Sequence, residues 1–121
     1  MEIICISKEY SETLGARHIE EGNWSGEDFR DNFLIPRFEA ARKKGEKVRI
    51  DLDGGYGNPV SFLEEAFGGL ARKYGTDTVL KTLDFVCNDE PAQVNEILEY
   101  IKHPFDNPVY KNAREKRKGK D

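Results

Sequence analysis

The stretch from Lys47 to Tyr74, KVRIDLDGGYGNPVSFLEEAFGGLARKY, constrains the fold more than any other part of this chain. Val48, Ile50 and Leu52 alternate with polar residues, so Val48–Leu52 predicts a strand. Asp53–Pro59 is a glycine-rich loop. From Val60 to Tyr74 the apolar residues change period. Phe62, Ala66, Leu70 and Tyr74 recur every four positions, flanked by Leu63, Phe67 and Ala71, which is a helix with one buried stripe. Gly75 stops it. A strand that runs through a short loop into a helix is half of a βαβ unit.

The flanking segments extend that pattern. Glu2–Ser7 is a short β-branched run and predicts a first strand. A weaker alternation at Ala16–Ile19 predicts a second strand, paired with the first as a hairpin. Gly22–Gly26 is a turn. Ser25 is a good N-cap, with Asp28 three residues on as the partner of a capping box. Phe29, Phe33, Leu34 and Phe38 continue that helix, and Pro36 predicts a kink or split near Ile35. Arg42, Lys43, Lys44 and Gly45 close it. Thr76–Lys81 predicts a short helix and Leu83–Cys87 the last strand. Asn88 or Asp89 should cap the final helix, with Pro91 in its first turn. Val94, Ile97, Leu98 and Ile101 form its buried stripe, and His103-Pro104 ends it. The expected architecture is a single α/β domain over residues 1–104. It has a mixed sheet of about four strands in the order β(β)αβαβα.

Charge narrows the function classes. The net charge is −4. Lys111–Asp121 carries six basic residues against two acidic ones, a net of +4, which leaves −8 on the other 110 residues. An acidic body argues against nucleic acid as the main partner, because phosphate neutralisation needs clustered Lys and Arg. The basic tail, residues 105–121, is expected to be a solvated terminus that could touch nucleic acid or an acidic protein. Cys5 and Cys87 sit in apolar runs and read as small core residues. No CxxC pair is present, and His18 and His103 stand alone, so a zinc site is not expected. No cofactor is implied. The chain has neither a signal-like start nor a long apolar segment, which predicts a cytoplasmic protein without membrane contact.

Three chemistries suit the residue types of the loop after Leu52. Asp51 and Asp53 resemble the acid pair of a small magnesium-dependent phosphohydrolase of the haloacid dehalogenase type. Against this, Gly55 replaces the usual Thr or Val, and the motif does not open the fold. As a structural reading, both aspartates are polar strand edges. Gly54-Gly55-Tyr56-Gly57 could cradle an anion or nucleotide, but neither the dinucleotide nor the P-loop spacing is met. Ser61 begins an S-x-x-E sequence and so reads first as a helix cap, with Asn58 ahead of Pro59 competing for that place, since Pro is favoured at the first helical position. A second, compatible reading is an exposed hydroxyl at a helix start, where a phosphate would gain from the helix dipole and be repelled by Asp53 and Glu64. Gly68 and Gly69 inside the helix predict close packing or a smooth docking patch. Trp24, Phe29 and Phe33 read as core or lid. No catalytic set is legible, so an enzyme is not expected.

The block VRIDLDG followed by SFLEEAFGGLARKYG resembles the STAS-like proteins of unknown function, relatives of anti-sigma-factor antagonists. GAR at Gly15–Arg17, GNWSGEDF at Gly22–Phe29, and Pro36 support the resemblance, which covers roughly Ile3 to Ile101. It implies a STAS-type α/β fold and a non-catalytic, regulatory, protein-binding role. In the antagonists a serine at the strand-to-helix junction is phosphorylated by a histidine-kinase-like ATPase. By resemblance Ser61 takes that position. This chain departs from the pattern: its loop is longer by Gly55–Gly57, and Asn58–Phe62 replaces a serine pair. The resemblance also implies a partner surface at Asp53, Gly54, Gly55, Tyr56, Gly57 and Asn58, continuing through Phe62, Glu65, Gly68 and Gly69. Neither the partner's identity nor the oligomeric state follows from the sequence.

Overall fold

The computed structural model describes residues 1–107. Three parallel strands form the sheet: β1 (Glu2–Cys5), β2 (Val48–Asp51) and β3 (Leu83–Val86), in the order β1-β2-β3. The register aligns Ile4, Ile50 and Phe85 across the sheet. Each crossover is helical, as parallel pairing requires. Residues 26–44 form α1, residues 60–74 form α2, Thr76–Thr82 form α3 and Ala92–Lys102 form α4. A single helical turn, Ile6–Glu9, follows β1, and a 3-10 turn occupies Ile19–Glu21.

Among the described residues the sheet is therefore parallel and three-stranded, not the expected mixed sheet of about four strands. The segment expected as a second strand has another use. Its carbonyls receive the first amides of α1, which have no acceptor within the helix. Gly26 N–H donates to the Ala16 carbonyl and Glu27 N–H to that of Arg17, both at 3.0 Å. Gly15 N–H returns to the Trp24 carbonyl at 2.8 Å. A segment that caps a helix in this way has no ladder left to offer β1.

The helices cover one face of the sheet. Ile4, Val48, Ile50 and Leu83 meet Phe29, Leu34 and Phe38 of α1, Phe62, Phe67 and Leu70 of α2, Val79 of α3, and Ile97 and Ile101 of α4 in one core. On the other face Ile3, Arg49 and Asp84 share a row, and Arg49 bonds Asp84 at 2.8 Å.

Two helices widen in mid-course. In α1 the backbone is π-helical over Phe29–Leu34 and returns to α at Ile35. Pro36 lacks the N–H that the ladder needs there, so the expected split is realised as a widened turn instead of a break. In α2 the π segment is Glu64–Gly68. Ser25 caps α1 as expected, its Oγ accepting Asp28 N–H at 3.0 Å. The reciprocal half of the box is absent: Asp28 turns to the Tyr10 hydroxyl at 2.6 Å and to Asn32. Pro91, and neither Asn88 nor Asp89, occupies the N-cap of α4. The basic run Lys111–Asp121 lies outside the described residues.

Candidate functional site

The loop after β2 is built from its aspartates outward. Asp51 Oδ1 accepts Asp53 N–H at 2.9 Å and closes the turn that leaves the strand. Asp53 then reaches across to the loop after β3. Its carboxylate accepts Asp89 N–H at 2.8 Å, and Asn88 N–H and Nδ2 at 3.0 Å each. These donors, the Asp89 and Asn88 amides first, hold its pKa below the ordinary aspartate range. Ser7 Oγ donates to the Asp53 carbonyl at 2.9 Å. The main phosphohydrolase candidates are thus engaged in tying three loops together at the carboxyl end of the sheet.

Two amides of the glycine stretch are occupied too. Gly54 N–H donates to Asp89 Oδ2 at 3.1 Å, and Tyr56 N–H to the Glu12 carbonyl at 2.9 Å. Gly54 and Gly57 have φ of +93° and +133°, which explains glycine at both. Asn58 ends the loop. Its Nδ2 donates to Gln93 Oε1 at 2.9 Å and to the Leu52 carbonyl at 3.2 Å. Between these anchors Tyr56 stands 84% exposed, and just past Asn58 the first residue of α2, Val60, is 60% exposed. They border a cleft that also touches Leu14, Pro59, Glu90 and Glu96.

Ser61 lies one residue inside α2, half-buried. The N-cap is Pro59, and no side chain caps this helix. The S-x-x-E capping box is not formed. Its would-be partner Glu64 faces the opposite way, into a buried charge cluster.

That cluster is what sequence reasoning missed. Glu64 and Glu65, each 4% exposed, sit on the wide turn of α2. Arg72 Nη1 bonds Glu64 Oε2 at 2.8 Å, and Arg17 Nη1 bonds Glu64 Oε1. Arg30 Nη1 bonds Glu65 Oε2 and also donates to the Glu65 carbonyl at 3.0 Å. Burial alone would lower the Arg30 pKa, but its bonds to Asp31 and Glu65 outweigh this and raise it. Arg72 further donates to the Pro104 carbonyl at 2.7 Å, joining α2 to the end of α4. Among the described residues no buried side-chain nitrogen or oxygen lacks a partner. A legible signal existed: Gly68 and Gly69 each lie four residues after a glutamate. A Cβ on Gly68 would stand 2.5 Å from Glu64 Oε2, and one on Gly69 would collide with Arg30 Nη1. The glycines make slots for the charges.

The proposed partner residues therefore divide. Gly54, Gly55, Tyr56 and Gly57 are exposed, with Asp53 and Asn58 half-buried beside them. Phe62, Glu65, Gly68 and Gly69 are buried and line no surface. Trp24, expected as core or lid, is 47% exposed, while Phe29 is fully buried. Cys87 is buried and Cys5 half-buried, and both are free thiols. Among the described residues no group of His, Cys, Asp and Glu has metal-site geometry, and no helix is long and apolar enough to cross a membrane.

A family model described as a STAS-like domain of unknown function (DUF4325) matches residues 25–93. That span runs from the cap of α1 to the start of α4 and includes β2, its loop and, of the charge cluster, Arg30, Glu64, Glu65 and Arg72, with Arg17 ahead of it. No curated protein and no solved structure matches the chain.

Proposed function

The chain belongs to the family of STAS-like domains of unknown function, and on that premise we propose that it is a non-catalytic regulatory module. It docks a protein partner through the loop and helix start that follow β2. The observation that carries this reading is the exposure of Tyr56 on a loop pinned at both ends by Asp53 and Asn58, with Val60 exposed just beyond it at the start of α2. Apolar groups held out on a fixed backbone bind with little ordering cost. The acidic side chains nearby, which could have served chemistry, accept main-chain amides instead. That supports structural roles for Asp51 and Asp53 over the phosphohydrolase alternative.

The proposed partner class is a histidine-kinase-like ATPase, taken from the likeness to anti-sigma-factor antagonists. Ser61 is the proposed switch. It lies in the first turn of α2, where a phosphate would meet the positive end of the helix dipole. Repulsion from Glu64 is smaller than its sequence position implies, since Arg17 and Arg72 neutralise that carboxylate.

The test is a binding titration against a histidine-kinase-like ATPase from the same genome, followed by mass spectrometry for phosphate on Ser61. Tyr56→Ser combined with Val60→Ser should weaken binding about tenfold or more while the fold persists. Ser61→Asp should also weaken it. Binding indifferent to all three changes would overturn the reading.

A further inference from the structure

Among the described residues five polar or charged side chains are buried: Ser25, Glu64, Glu65, Thr82 and Gln93. Ser25 caps α1, the glutamates belong to the arginine network, and Thr82 Oγ1 donates to the Thr78 carbonyl of its own helix. Gln93, 6% exposed in the first turn of α4, remains. An amide is costly to bury unless its hydrogen bonds are met. Those of Gln93 are met by the end of the loop after β2. Its Oε1 accepts Asn58 Nδ2 at 2.9 Å, and its Nε2 donates to the Asn58 carbonyl at 3.4 Å.

The place of this clamp gives it leverage. The Asn58 carbonyl belongs to the peptide that joins Asn58 to Pro59, and Pro59 is the N-cap of α2. Proline has no N–H of its own to be held by, so Asn58 supplies the handles. The Pro59 carbonyl then takes the Leu63 N–H at 3.1 Å, an opening bond of the helix. One peptide therefore sets both the end of the loop and the start of α2. Gln93 is itself well fixed. Ile97 and Ile101 of the same helix are fully buried, and Pro91 has little freedom at φ of −55°. The other end of the loop meets the same connection: Asp53 accepts the Asn88 and Asp89 amides, and Gly54 N–H donates to Asp89. The segment from Asn88 to Gln93 holds both ends of the loop.

We propose that Gln93 is a positioning residue for this loop: from the first turn of α4 its amide sets the Asn58–Pro59 peptide, and with it the direction in which Tyr56, Val60 and Ser61 are presented. The proposal rests on the docking role given to the loop above. It adds to that surface a residue that offers a partner almost no area of its own.

Gln93→Met keeps an unbranched side chain and removes both bonds, and Asn58→Ala removes them from the other side. Amide exchange should be measured on the full-length protein without a partner. In each variant the Tyr56 and Leu63 amides should exchange at least about fivefold faster, while Asn88 and Asp89, held by Asp53, keep their wild-type rates. The double variant should add little to either single one. Ser25→Ala, which destabilises from outside the loop, is the control and should leave Tyr56 and Leu63 unchanged. In titration against the histidine-kinase-like ATPase, Gln93→Met should weaken binding about fivefold, since the loop must then be ordered on docking. Unchanged exchange at Tyr56 and Leu63, equal acceleration in Ser25→Ala, or wild-type affinity in Gln93→Met would overturn the proposal. Accelerated exchange in the variants with no binding by the wild-type protein would uphold the positioning role and defeat the docking reading.

Discussion

Glu64 and Arg72 meet at 2.8 Å in a space that exists because residue 68 has no side chain. The wide turn of α2 aims both glutamates at arginines from three places: Arg17 before α1, Arg30 within α1 and Arg72 in α2 itself. The network ties the segment ahead of α1, both long helices and the end of α4 into one unit.

The glycines should respond opposite to ordinary helix expectation. Gly→Ala within a helix commonly stabilises by about 1 kcal/mol. Here Gly68→Ala would press on Glu64 Oε2 and Gly69→Ala on Arg30. Each should lose about 1–3 kcal/mol, the usual cost of overpacking. Urea unfolding of the two variants checks this, and a stabilised variant would contradict it.

Removing one acid from the network should cost more than removing a surface pair. Glu64→Ala takes the nearer carboxylate from two largely buried guanidiniums, Arg17 and Arg72, which keep Glu65 at 3.6 and 4.0 Å, a loss of about 3 kcal/mol. Glu64→Gln keeps hydrogen-bond acceptors and should lose less. Arg49→Ala, which breaks an exposed pair, should lose about 1 kcal/mol or less. Denaturant titration of the three variants gives the ranking directly.

Asp53 sets an acid-side dependence. Its folded pKa is depressed, so its contribution is fully present above the unfolded value and is lost as pH falls through the lower folded value. Loosening of the loops at residues 53–58 and 87–91 is therefore expected below about pH 4. Asp53→Asn should loosen them already at neutral pH and flatten that part of the acid profile. Amide exchange at Asn88 and Asp89, whose N–H groups Asp53 accepts, is the measurement.

Ser25 is fully buried and its Oγ holds the Asp28 amide. Ser25→Ala should cost about 1 kcal/mol, the usual value of an N-cap. The loss should appear in the melting temperature without any change at the loop after β2.

Much of this architecture could be read from local pattern. The alternation at Val48–Leu52 and the four-residue repeat from Phe62 to Tyr74 correspond to β2 and α2 because periodicity reports which side faces the core. The Ser25 cap and the Pro36 disturbance are likewise local chemistry. The exposed Gly54–Gly57 loop was legible as a loop for the same reason. Ser61 was not legible as an uncapped residue. Its S-x-x-E sequence satisfies a capping pattern, but the helix starts at Val60 behind Pro59, so Ser61 is already inside it, and Glu64 is held by Arg17 and Arg72. The strand expected at Ala16–Ile19 failed for a similar reason: the amides that use those carbonyls belong to Gly26 and Glu27, across a turn.

The sequence by itself determined the alternation of strands and helices, the family and the position of the loop after β2. Those depend on side-chain spacing along a short stretch of chain. Only the tertiary structure decided which charges are buried together, that Asp53 is a loop tie, that Gly68 and Gly69 serve arginines, and that Trp24 faces solvent. Each depends on groups far apart in the chain meeting at hydrogen-bond or van der Waals distance, and no local period encodes such a meeting.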